Sequence, residues 1–274
     1  MYRIIPKIEI KGNNLVKGIN LEGLRILGDP NYFILNYYND GADEIFIQDV
    51  VASLYDRYSL LNIIKNVSKE CFIPITVGGG IKSIDDILLL LTNGADRVSI
   101  NSHAYRDVNF LSRATNRFGS STISVEAQVI KVDGKYMTFY DNGRTPSGYE
   151  LIEWLNIVQN EGIGEVILTS VENEGLMKGF DTNLLDHCRK YINVPILLNG
   201  GLCDPKEIAD LKKKYDIGGV LLGSIIHYDF FFSDYVNLEK ISKKIKNKID
   251  FFQTYKISEI KKFLNKNNIE VRFQ

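Results

Sequence analysis

Val77-Gly-Gly-Gly-Ile81 and Leu198-Asn-Gly-Gly-Leu202 are two glycine-rich stretches that follow short apolar runs, and their spacing decides the fold. The two stretches lie 121 residues apart, and Glu44 lies the same distance before Glu165. A period of this length that occurs only twice does not fit a solenoid, whose repeats are about 20–50 residues long. The sequence therefore predicts two related halves, each built from four strand–helix units.

Around these stretches, short apolar or β-branched runs alternate with longer amphipathic runs over the whole chain. The predicted strands are 4–10, 44–50, 73–77, 96–100, 122–129, 165–169, 194–198 and 219–222. The predicted helices are 58–69, 84–93, 109–118, 150–161, 184–191 and 205–214. An open doubly wound sheet shows the same alternation, but eight strands within about 250 residues fit a closed barrel better. We therefore predict an α/β fold, a (β/α)8 TIM barrel with an internal twofold half-barrel repeat, as one domain over residues 1–274.

The composition excludes several classes of protein. With 45% hydrophobic and 24% charged residues in a chain of 274, disorder of the whole chain is not expected. A formal net charge of −1 provides no electrostatic footprint for nucleic acid or an anionic membrane, so neither is predicted as a partner. The apolar runs are far shorter than a membrane span, and we recognise no signal peptide. Three cysteines without a CxxC pair and three scattered histidines predict neither a disulfide framework nor a metal site, and the expected location is the cytoplasm.

Each glycine-rich stretch is predicted to form part of an anion site at the carboxyl ends of the barrel strands, where barrel enzymes bind their ligands. Glycine lets backbone N–H groups approach an anion, and one strand later a small polar residue begins a helical turn with a positive end. The first cradle consists of Gly79, Gly80, Asn101 and Ser102, and the second cradle of Gly200, Gly201, Gly223 and Ser224. Two cradles related by the repeat predict a ligand with a phosphate at each end. The alternative is that these glycines only permit tight turns.

Many motifs that follow one order along the chain carry a resemblance to a known family. They are Arg3-Ile-Ile, Lys17-Gly, Gly28-Asp-Pro30, Asp43-Glu44, Val77-Gly-Gly-Gly-Ile81, Gly94-Ala-Asp-Arg-Val-Ser-Ile-Asn101, Phe118-Gly-Ser120, Val132-Asp-Gly134, Gly164-Glu-Val-Ile-Leu-Thr-Ser170 and Lys178-Gly-Phe-Asp181. On these residues the chain resembles the HisF family, the cyclase subunit of imidazole glycerol phosphate synthase. The resemblance is collinear apart from an insertion near residues 228–251 that is rich in Phe and Lys.

This resemblance implies a barrel that docks on a class I glutaminase of the HisH type and passes ammonia through its interior, without a cofactor. In the family, an alternating ring of charges forms the entrance at the bottom of the barrel. The residues that match those positions are Arg3, Glu44, Arg97 and Glu165. Charges at strand starts also form structural ion pairs that close a core. On the whole-chain resemblance we favour an ammonia gate.

The resemblance also implies two catalytic aspartates at the opposite end, and both positions differ here. Glu9 stands at the first position, with a carboxylate displaced by one methylene. An ungapped count from both flanks places Gln128 at the second position, and an amide is neither a general acid nor a base at neutral pH. A two-residue slip would instead align Glu126, which points to the same side of the strand.

Most of the positions that the resemblance implies for substrate binding retain the family's residue. They are Lys17, Asp49 and Thr169, whereas Glu174 lies in a loop where the family usually shows aspartates. Together with the two cradles, these residues predict a phosphorylated small-molecule ligand.

Three functions remain open at this point. The favoured one is a divergent HisF-like subunit that feeds ammonia to a separate ATP-dependent sugar amidotransferase, for amidation of an N-acetyl sugar in surface glycans. The altered pair Glu9 and Gln128 favours it. The second is the ordinary cyclase of histidine biosynthesis, which the two cradles favour. The third is a non-catalytic scaffold for a glutaminase.

Overall fold

The computed structural model of the chain describes residues 1–51, 58–231 and 253–273. Most of the predicted insertion, from residue 232 to residue 251, lies outside these residues. In the described part of the chain, no helix is both long enough and apolar enough to cross a bilayer.

The described residues alternate strands and helices along the chain. The strands are β1 (Arg3–Lys11), β2 (Asn14–Ile19), β3 (Glu22–Gly28), β4 (Ile45–Asp49), β5 (Ile75–Gly78), β6 (Arg97–Ile100), β7 (Ile123–Val132), β8 (Lys135–Tyr140), β9 (Thr145–Glu150), β10 (Glu165–Ser170), β11 (Ile196–Asn199) and β12 (Gly219–Leu222). The helices are α1 (Pro30–Asn39), α2 (Tyr58–Val67), α3 (Ile84–Thr92), α4 (Ser102–Arg106), α5 (Asn109–Phe118), α6 (Leu151–Asn160), α7 (Thr182–Cys188), α8 (Pro205–Lys214), α9 (Ser224–Phe230) and α10 (Ile257–Lys266).

Eight parallel strands close into a barrel, in the order β1, β4, β5, β6, β7, β10, β11 and β12, and β12 pairs with β1 again. This confirms the predicted (β/α)8 TIM barrel. Three strands separate β1 from β7 on either side of the ring, so these two strands form opposite walls of the barrel. We call the carboxyl ends of the barrel strands the mouth and their amino ends the bottom.

Two antiparallel hairpins extend the barrel, and the sequence analysis did not predict them. The first, β2–β3, follows β1, and the second, β8–β9, follows β7. Because β1 and β7 begin the two half-barrels, the hairpins occupy corresponding places in the repeat. The outer strand of each hairpin, β3 or β9, is mostly exposed or half-buried, so the apolar periodicity that marks the barrel strands is weak there.

Local signals explain why several helices begin where they do. Ser83 caps α3 in a capping box with Asp86, and Asp204 caps α8 in the same way with Glu207. Pro205 follows the second cap at the first helical position, where a missing N–H costs nothing. The predicted helix 184–191 is divided, because α7 ends at Cys188 and a 3₁₀ turn follows it.

A large hydrophobic core fills the space between the barrel and its helices. A buried ion pair fastens α10 to this outer core, since Lys261 Nζ lies 2.6 Å from Asp43 Oδ1. The other carboxylate oxygen of Asp43 accepts a 2.8 Å hydrogen bond from the backbone N–H of Ile4, at the start of β1. This pair lies on the helix side of the barrel wall and serves below as a reference for ion pairs inside the barrel.

Candidate functional site

Four charged side chains form a closed ring at the bottom of the barrel, which we call the bottom ring. Arg3 Nη1 lies 3.0 Å from Glu44 Oε2, and Arg3 Nη2 also bonds Glu165 Oε1. Arg97 Nη1 lies 3.4 Å from Glu44 Oε2 and 3.9 Å from Glu165 Oε2. Thr76 donates a 2.5 Å hydrogen bond to the other carboxylate oxygen of Glu44. The structure thus brings together all four residues that the sequence analysis assigned to an ammonia gate.

In the bottom ring, burial and the neighbouring charges shift the pKa values of the side chains in opposite directions. Burial would lower the pKa of the Arg3 guanidinium, but the charges of Glu165 and Glu44 outweigh it and raise that pKa. Burial also raises the pKa of Glu165, against the attraction of Arg3. Removal of one member would leave its partners without compensation in a partly buried place. The ring therefore depends on all four charges.

Five apolar side chains lie inside the barrel above the bottom ring, and we call them the apolar layer. They form a buried cluster separate from the outer core, and each comes from a different barrel strand. They are Ile5, Phe46, Ile167, Leu197 and Leu221. An apolar interior of this kind is costly for an ion to enter, whereas a small neutral molecule escapes that cost.

On the mouth side of the apolar layer, five buried charges alternate in sign in one continuous chain, which we call the charge chain. Lys7 Nζ lies 3.4 Å from Glu126 Oε1 and 3.6 Å from Glu9 Oε1. Lys17 Nζ lies 2.8 Å from the other oxygen of Glu9 and also bonds Glu174. Each of the five side chains is at most 4% exposed. The order is Glu174, Lys17, Glu9, Lys7 and Glu126.

Within the charge chain, the neighbouring charges favour the ionised forms of Glu9 and Lys7. Burial would raise the pKa of Glu9, but Lys17 and Lys7 outweigh it and lower that pKa. Burial would lower the pKa of Lys7, but Glu126 and Glu9 outweigh it and raise that pKa. A carboxylate that is bound to two ammonium groups is a weak base. Glu9, the expected first catalytic residue, is therefore not poised to take a proton in this arrangement.

Gln128, the expected second catalytic residue, lies in the same interior with both ends of its amide bound. Its Nε2 donates to Glu126 Oε2 at 3.4 Å, and its Oε1 accepts a 2.8 Å hydrogen bond from the backbone of Gly143. Thr169 donates a 2.8 Å hydrogen bond to the other oxygen of Glu126 and accepts one from Asn199. Glu126, the alternative to Gln128, points into the barrel beside it, as the two-residue slip requires.

The first cradle borders a cavity of about 170 Å³ at the mouth. Gly79 has a φ of +110°, and a Cβ there would lie 2.3 Å from the carbonyl oxygen of Asp49, so only glycine fits. Asn101 donates a 2.8 Å hydrogen bond to the carbonyl oxygen of Glu126 on the next strand. Asp49 accepts a 3.0 Å hydrogen bond from the backbone of Val51. Backbone groups of β5 and β6 thus form one side of an open site.

Charged side chains from outside the predicted set also reach this cavity. Ser102 donates a 2.9 Å hydrogen bond to Asp141 Oδ1, and the Asp141 carboxylate lies 3.7 Å from Arg106. Lys82 lines the same cavity. An incoming phosphate would compete with Asp141 for Ser102 and would gain attraction from the two cations.

The second cradle has the same backbone form but hardly any free space. Gly200 and Gly201 have φ values of +99° and +104°, and the cavity beside them is about 20 Å³. A Cβ on Gly200 would lie 3.1 Å from Glu174 Oε2, so this carboxylate occupies the site itself. Ser224 Oγ is buried and has no hydrogen-bond partner among the described residues. The lysine that the analysis assigned to substrate, Lys17, backs this cradle, since a Cβ on Gly223 would lie 3.2 Å from Lys17 Nζ.

The loop 171–181 covers the second cradle and is fastened on two sides. Its Glu174 carbonyl accepts a 2.8 Å hydrogen bond from the backbone of Asn20, between β2 and β3. Asn20 Nδ2 donates to the carbonyl oxygens of Val171 and Glu172 at 2.9 Å. Gly179 donates a 2.8 Å hydrogen bond to the carbonyl oxygen of Gly201. The loop therefore joins the second cradle to the first hairpin.

His227 fixes the wall behind the second cradle. It is fully buried on α9, its Nε2 lies 2.8 Å from the carbonyl oxygen of Lys7, and its Nδ1 lies 2.7 Å from the Tyr37 hydroxyl. Burial lowers the pKa of His227 to about 3, so the imidazole is neutral at physiological pH. Within the part of the chain that the structure describes, no group of three His, Cys, Asp or Glu residues could hold a metal ion.

Several side chains that fill the space around the predicted residues were not predicted from the sequence. A signal existed for Lys7, because Arg3, Lys7 and Glu9 share one side of an alternating strand. No comparable signal existed for Asp141 or Arg106. Asp141 reaches the first cradle from the second hairpin, which the sequence pattern did not predict, and Arg106 reaches it from the end of α4, the helical turn predicted to begin at Ser102.

Comparison with known proteins gives matches over most of the chain. The model of a family described as histidine biosynthesis protein matches residues 3–231. An imidazole glycerol phosphate synthase subunit HisF from Legionella pneumophila is 43% identical over 202 residues, which are 73% of this chain and 95% of that protein. The protein of the same name from Helicobacter hepaticus is 40% identical over 227 residues, 82% of this chain and 90% of that protein. The one from Natranaerobius thermophilus is 33% identical over 270 residues, which are 98% of each chain.

Proposed function

Because the chain belongs to the histidine biosynthesis protein family and is similar to HisF subunits over most of its length, we propose that it is the barrel subunit of a glutamine amidotransferase complex. In this proposal a class I glutaminase of the HisH type binds the bottom of the barrel. Ammonia passes through the barrel, and a phosphorylated acceptor binds at the mouth.

The observation that carries the proposal is the closed bottom ring. Its two arginine side chains are 23% and 32% exposed, so a docked partner can reach them, while Glu44 is only 2% exposed. Behind the ring lies the apolar layer, where ammonia escapes the desolvation cost that ammonium would meet. A ring that admits a neutral molecule into an apolar interior is an arrangement suited to ammonia.

Exposed apolar side chains at the bottom support a docked partner there. Met1 is 73% exposed just before β1, and Phe72 is 79% exposed just before β5. Phe273 is 50% exposed in the tail that pairs with the start of β1 through a hydrogen bond from Tyr2 to Glu270. These three side chains lie around the same end of the barrel as the bottom ring.

The partner is tested by mixing the chain with a class I glutaminase of the HisH type and measuring the complex by sedimentation. We expect a one-to-one complex at micromolar concentration, weakened at least tenfold by Phe72→Ser. The matched control is Ile26→Ser, because Ile26 is 65% exposed in the hairpin on the mouth side. Two chains that stay separate would overturn the partnership.

The acceptor depends on the chemistry at the mouth. This proposal takes Glu9 and Gln128 as the residues at the two catalytic positions. The binding of Glu9 by two lysines and the pairing of the Gln128 amide both disfavour acid–base catalysis there, which supports a different acceptor. We therefore favour a divergent subunit that hands ammonia to an ATP-dependent amidotransferase acting on an N-acetyl sugar of surface glycans. The altered pair Glu9 and Gln128, which favoured this function in the sequence analysis, supports this finer assignment.

The second candidate is the cyclase of imidazole glycerol phosphate synthase. It is favoured by the similarity to HisF subunits over almost the whole chain and by the open first cradle. An ammonia-dependent cyclase assay with the bisphosphorylated ribulosyl substrate separates the two candidates. Turnover close to that of an ordinary cyclase would eliminate the sugar amidation. Absence of turnover, with gain of ring closure in the double variant Glu9→Asp and Gln128→Asp, would support it.

A non-catalytic scaffold is a further outcome of the same work. A scaffold would bind the glutaminase but would bind no phosphorylated ligand at the mouth. Titration with a bisphosphorylated nucleotide analogue therefore separates it from both catalytic candidates. We expect binding, because the first cradle offers backbone N–H groups beside Lys82 and Arg106.

A further inference from the structure

The charge chain crosses the barrel interior from wall to wall. Lys7 comes from β1 and Glu126 from β7, and three barrel strands separate these two strands on either side of the ring. Their side chains meet at 3.4 Å on the mouth side of the apolar layer. Lys7 follows Ile5 on the same face of β1, and Glu126 is paired in register with Ile167 of that layer. An ion pair between opposite walls obstructs the path that leads from the bottom ring to the mouth.

We propose that Lys7 and Glu126 form an inner gate inside the barrel, and that this gate stays shut while Glu174 fills the second cradle and Lys17 remains bound to Glu9. The proposal rests on the function proposed above, because a gate has a purpose only if a molecule passes through the barrel. It assigns a role to buried charges that neither the bottom ring nor the two cradles account for.

The first argument is the strength of the closure. Glu126 is held from three sides, by Lys7, by Thr169 at 2.8 Å and by Gln128 at 3.4 Å, so its carboxylate is fixed in the interior. The ammonium group of Lys7 has no water to replace these carboxylates, since its side chain is 2% exposed. Lys7 therefore moves away only if Glu9 offers it a better position.

The second argument is the connection to the mouth. Glu9 divides its two oxygens, one towards Lys7 at 3.6 Å and the other towards Lys17 at 2.8 Å. Lys17 is shared in turn with Glu174, which lies in the loop that covers the second cradle. When an anion displaces Glu174 from the second cradle, Lys17 turns to that anion. Glu9 is then free to attract Lys7 away from Glu126, and the gate opens.

The inner gate therefore couples occupation of the mouth to passage through the barrel. Ammonia that arrived before an acceptor would be lost to solvent, and the closed pair prevents this. The coupling needs no change in the bottom ring, which lies on the other side of the apolar layer.

The test measures access to the apolar layer in the isolated chain. Leu221 is replaced by cysteine, and the rate at which methyl methanethiosulfonate modifies residue 221 is followed by peptide mass spectrometry. Adding Lys7→Ala with Glu126→Ala removes both halves of the gate together, and Glu9 keeps Lys17 as its partner. We expect the rate to rise at least tenfold. The matched control, Lys261→Ala with Asp43→Asn, removes a buried ion pair outside the barrel interior. Its modification rate at residue 221 is expected to stay within twofold of that of the parent.

A second variant tests the connection to the mouth and avoids truncation inside the barrel. Glu174→Gln removes the carboxylate charge from the second cradle, so inorganic phosphate added to this variant can take Lys17 away from Glu9. We expect added phosphate to raise the rate at residue 221 about threefold to tenfold in this variant. Its control is Glu172→Gln on the same loop, because Glu172 binds the backbone of Lys131 and not the charge chain. An unchanged rate in the Lys7 and Glu126 variant overturns the gate, and equal rates for the Glu174 and Glu172 variants in the presence of phosphate overturn the coupling.

This experiment uses neither the glutaminase nor an acceptor, so its result is independent of the proposed function. If the gate variants raise the rate but the chain never binds a glutaminase, the gate proposal is supported and the ammonia route is overturned. A glutaminase complex whose chain shows no change in access would leave the ammonia route in place and remove the gate.

Discussion

The first and second cradles are related by the internal repeat, yet one is open and the other is filled. Both have consecutive glycines with positive φ at the end of one strand and a small helix after the next strand. Among the described residues, the first borders a cavity of about 170 Å³, whereas about 20 Å³ remains beside the second. The difference lies in Glu174, which enters the second cradle from its covering loop. The repeat thus preserves the backbone of an anion site, while a single loop decides whether that site is available.

The largest expected effect tests whether the two cradles share one backbone. Gly79→Ala and Gly201→Ala place a Cβ within 2.3 Å and 2.2 Å of a carbonyl oxygen, at φ values of +110° and +104°. We expect each to lower the free energy of unfolding by about 3–5 kcal/mol in urea titrations. The control Gly134→Ala has positive φ but nothing within 4 Å, so it should cost only about 1–3 kcal/mol.

The same variants also separate the cradles by their binding. Gly79→Ala should abolish binding of inorganic phosphate, measured by calorimetry, while Gly201→Ala should leave it unchanged because Glu174 already fills that cradle. Equal losses of binding in both variants would contradict the difference between the two cradles.

A smaller effect concerns the histidines beside the two cradles. Burial lowers the pKa of His227 to about 3, so only the unfolded chain takes up this proton as the pH falls below about 6.5. Protons bound to the unfolded state favour unfolding, and the contribution reaches about 2 kcal/mol at pH 5. We expect urea titrations at pH 7 and pH 5 to show this loss, and His227→Gln to remove it. His103 lines the open first cavity and is less buried. It should therefore contribute much less to the change in the free energy of unfolding between pH 7 and pH 5. If His103→Gln removed as much of this pH-dependent loss as His227→Gln, the loss could not be assigned to His227.

A third prediction converts the filled cradle into an open one. Glu174→Gln removes the negative charge from the second cradle and frees Lys17 for an anion. We expect a second phosphate site to appear in calorimetry. The affinity of the second cradle for phosphate should be roughly tenfold higher than in the unmodified chain, which corresponds to about 1.4 kcal/mol. Glu172→Gln, on the same loop but bound to the backbone of Lys131, should add no site. A binding isotherm identical for both variants would show that the loop and not the charge closes the cradle.

The contrast between the cradles also shows what the sequence could reveal. The backbone geometry of the cradles could be predicted, because Gly79 and Gly200 stand at strand ends that the alternation of strands and helices fixes. The bottom ring was accessible through the resemblance, since Arg3 and Glu165 lie at strand starts. Which side chain fills a cradle could not be predicted. Glu174 reaches its cradle from a loop without periodicity, so no local pattern predicts it.

The interior charges illustrate a second limit. Strand alternation places Lys7 and Glu126 on the inner faces of β1 and β7, and this could be read from the sequence. The predicted closure of eight strands also places these two, the first and the fifth, on opposite walls of the barrel. A lysine at the centre of a strand is normally expected at the surface. Its partner lies 119 residues away, beyond the reach of any spacing rule.

The smallest expected effect refines the comparison at the surface. Lys82 is exposed beside the first cradle, so Lys82→Gln should weaken phosphate binding there by about two- to threefold, in line with the modest value of an exposed charge pair. The effect should shrink at high salt, because an exposed charge is screened. Lys178 is also exposed, on the loop over the second cradle, and provides the matched substitution. Lys178→Gln should leave phosphate binding unchanged while Glu174 fills that cradle, and should weaken it only in the Glu174→Gln background. A loss of affinity from Lys178→Gln in the unmodified chain would mean that the second cradle is already open to anions.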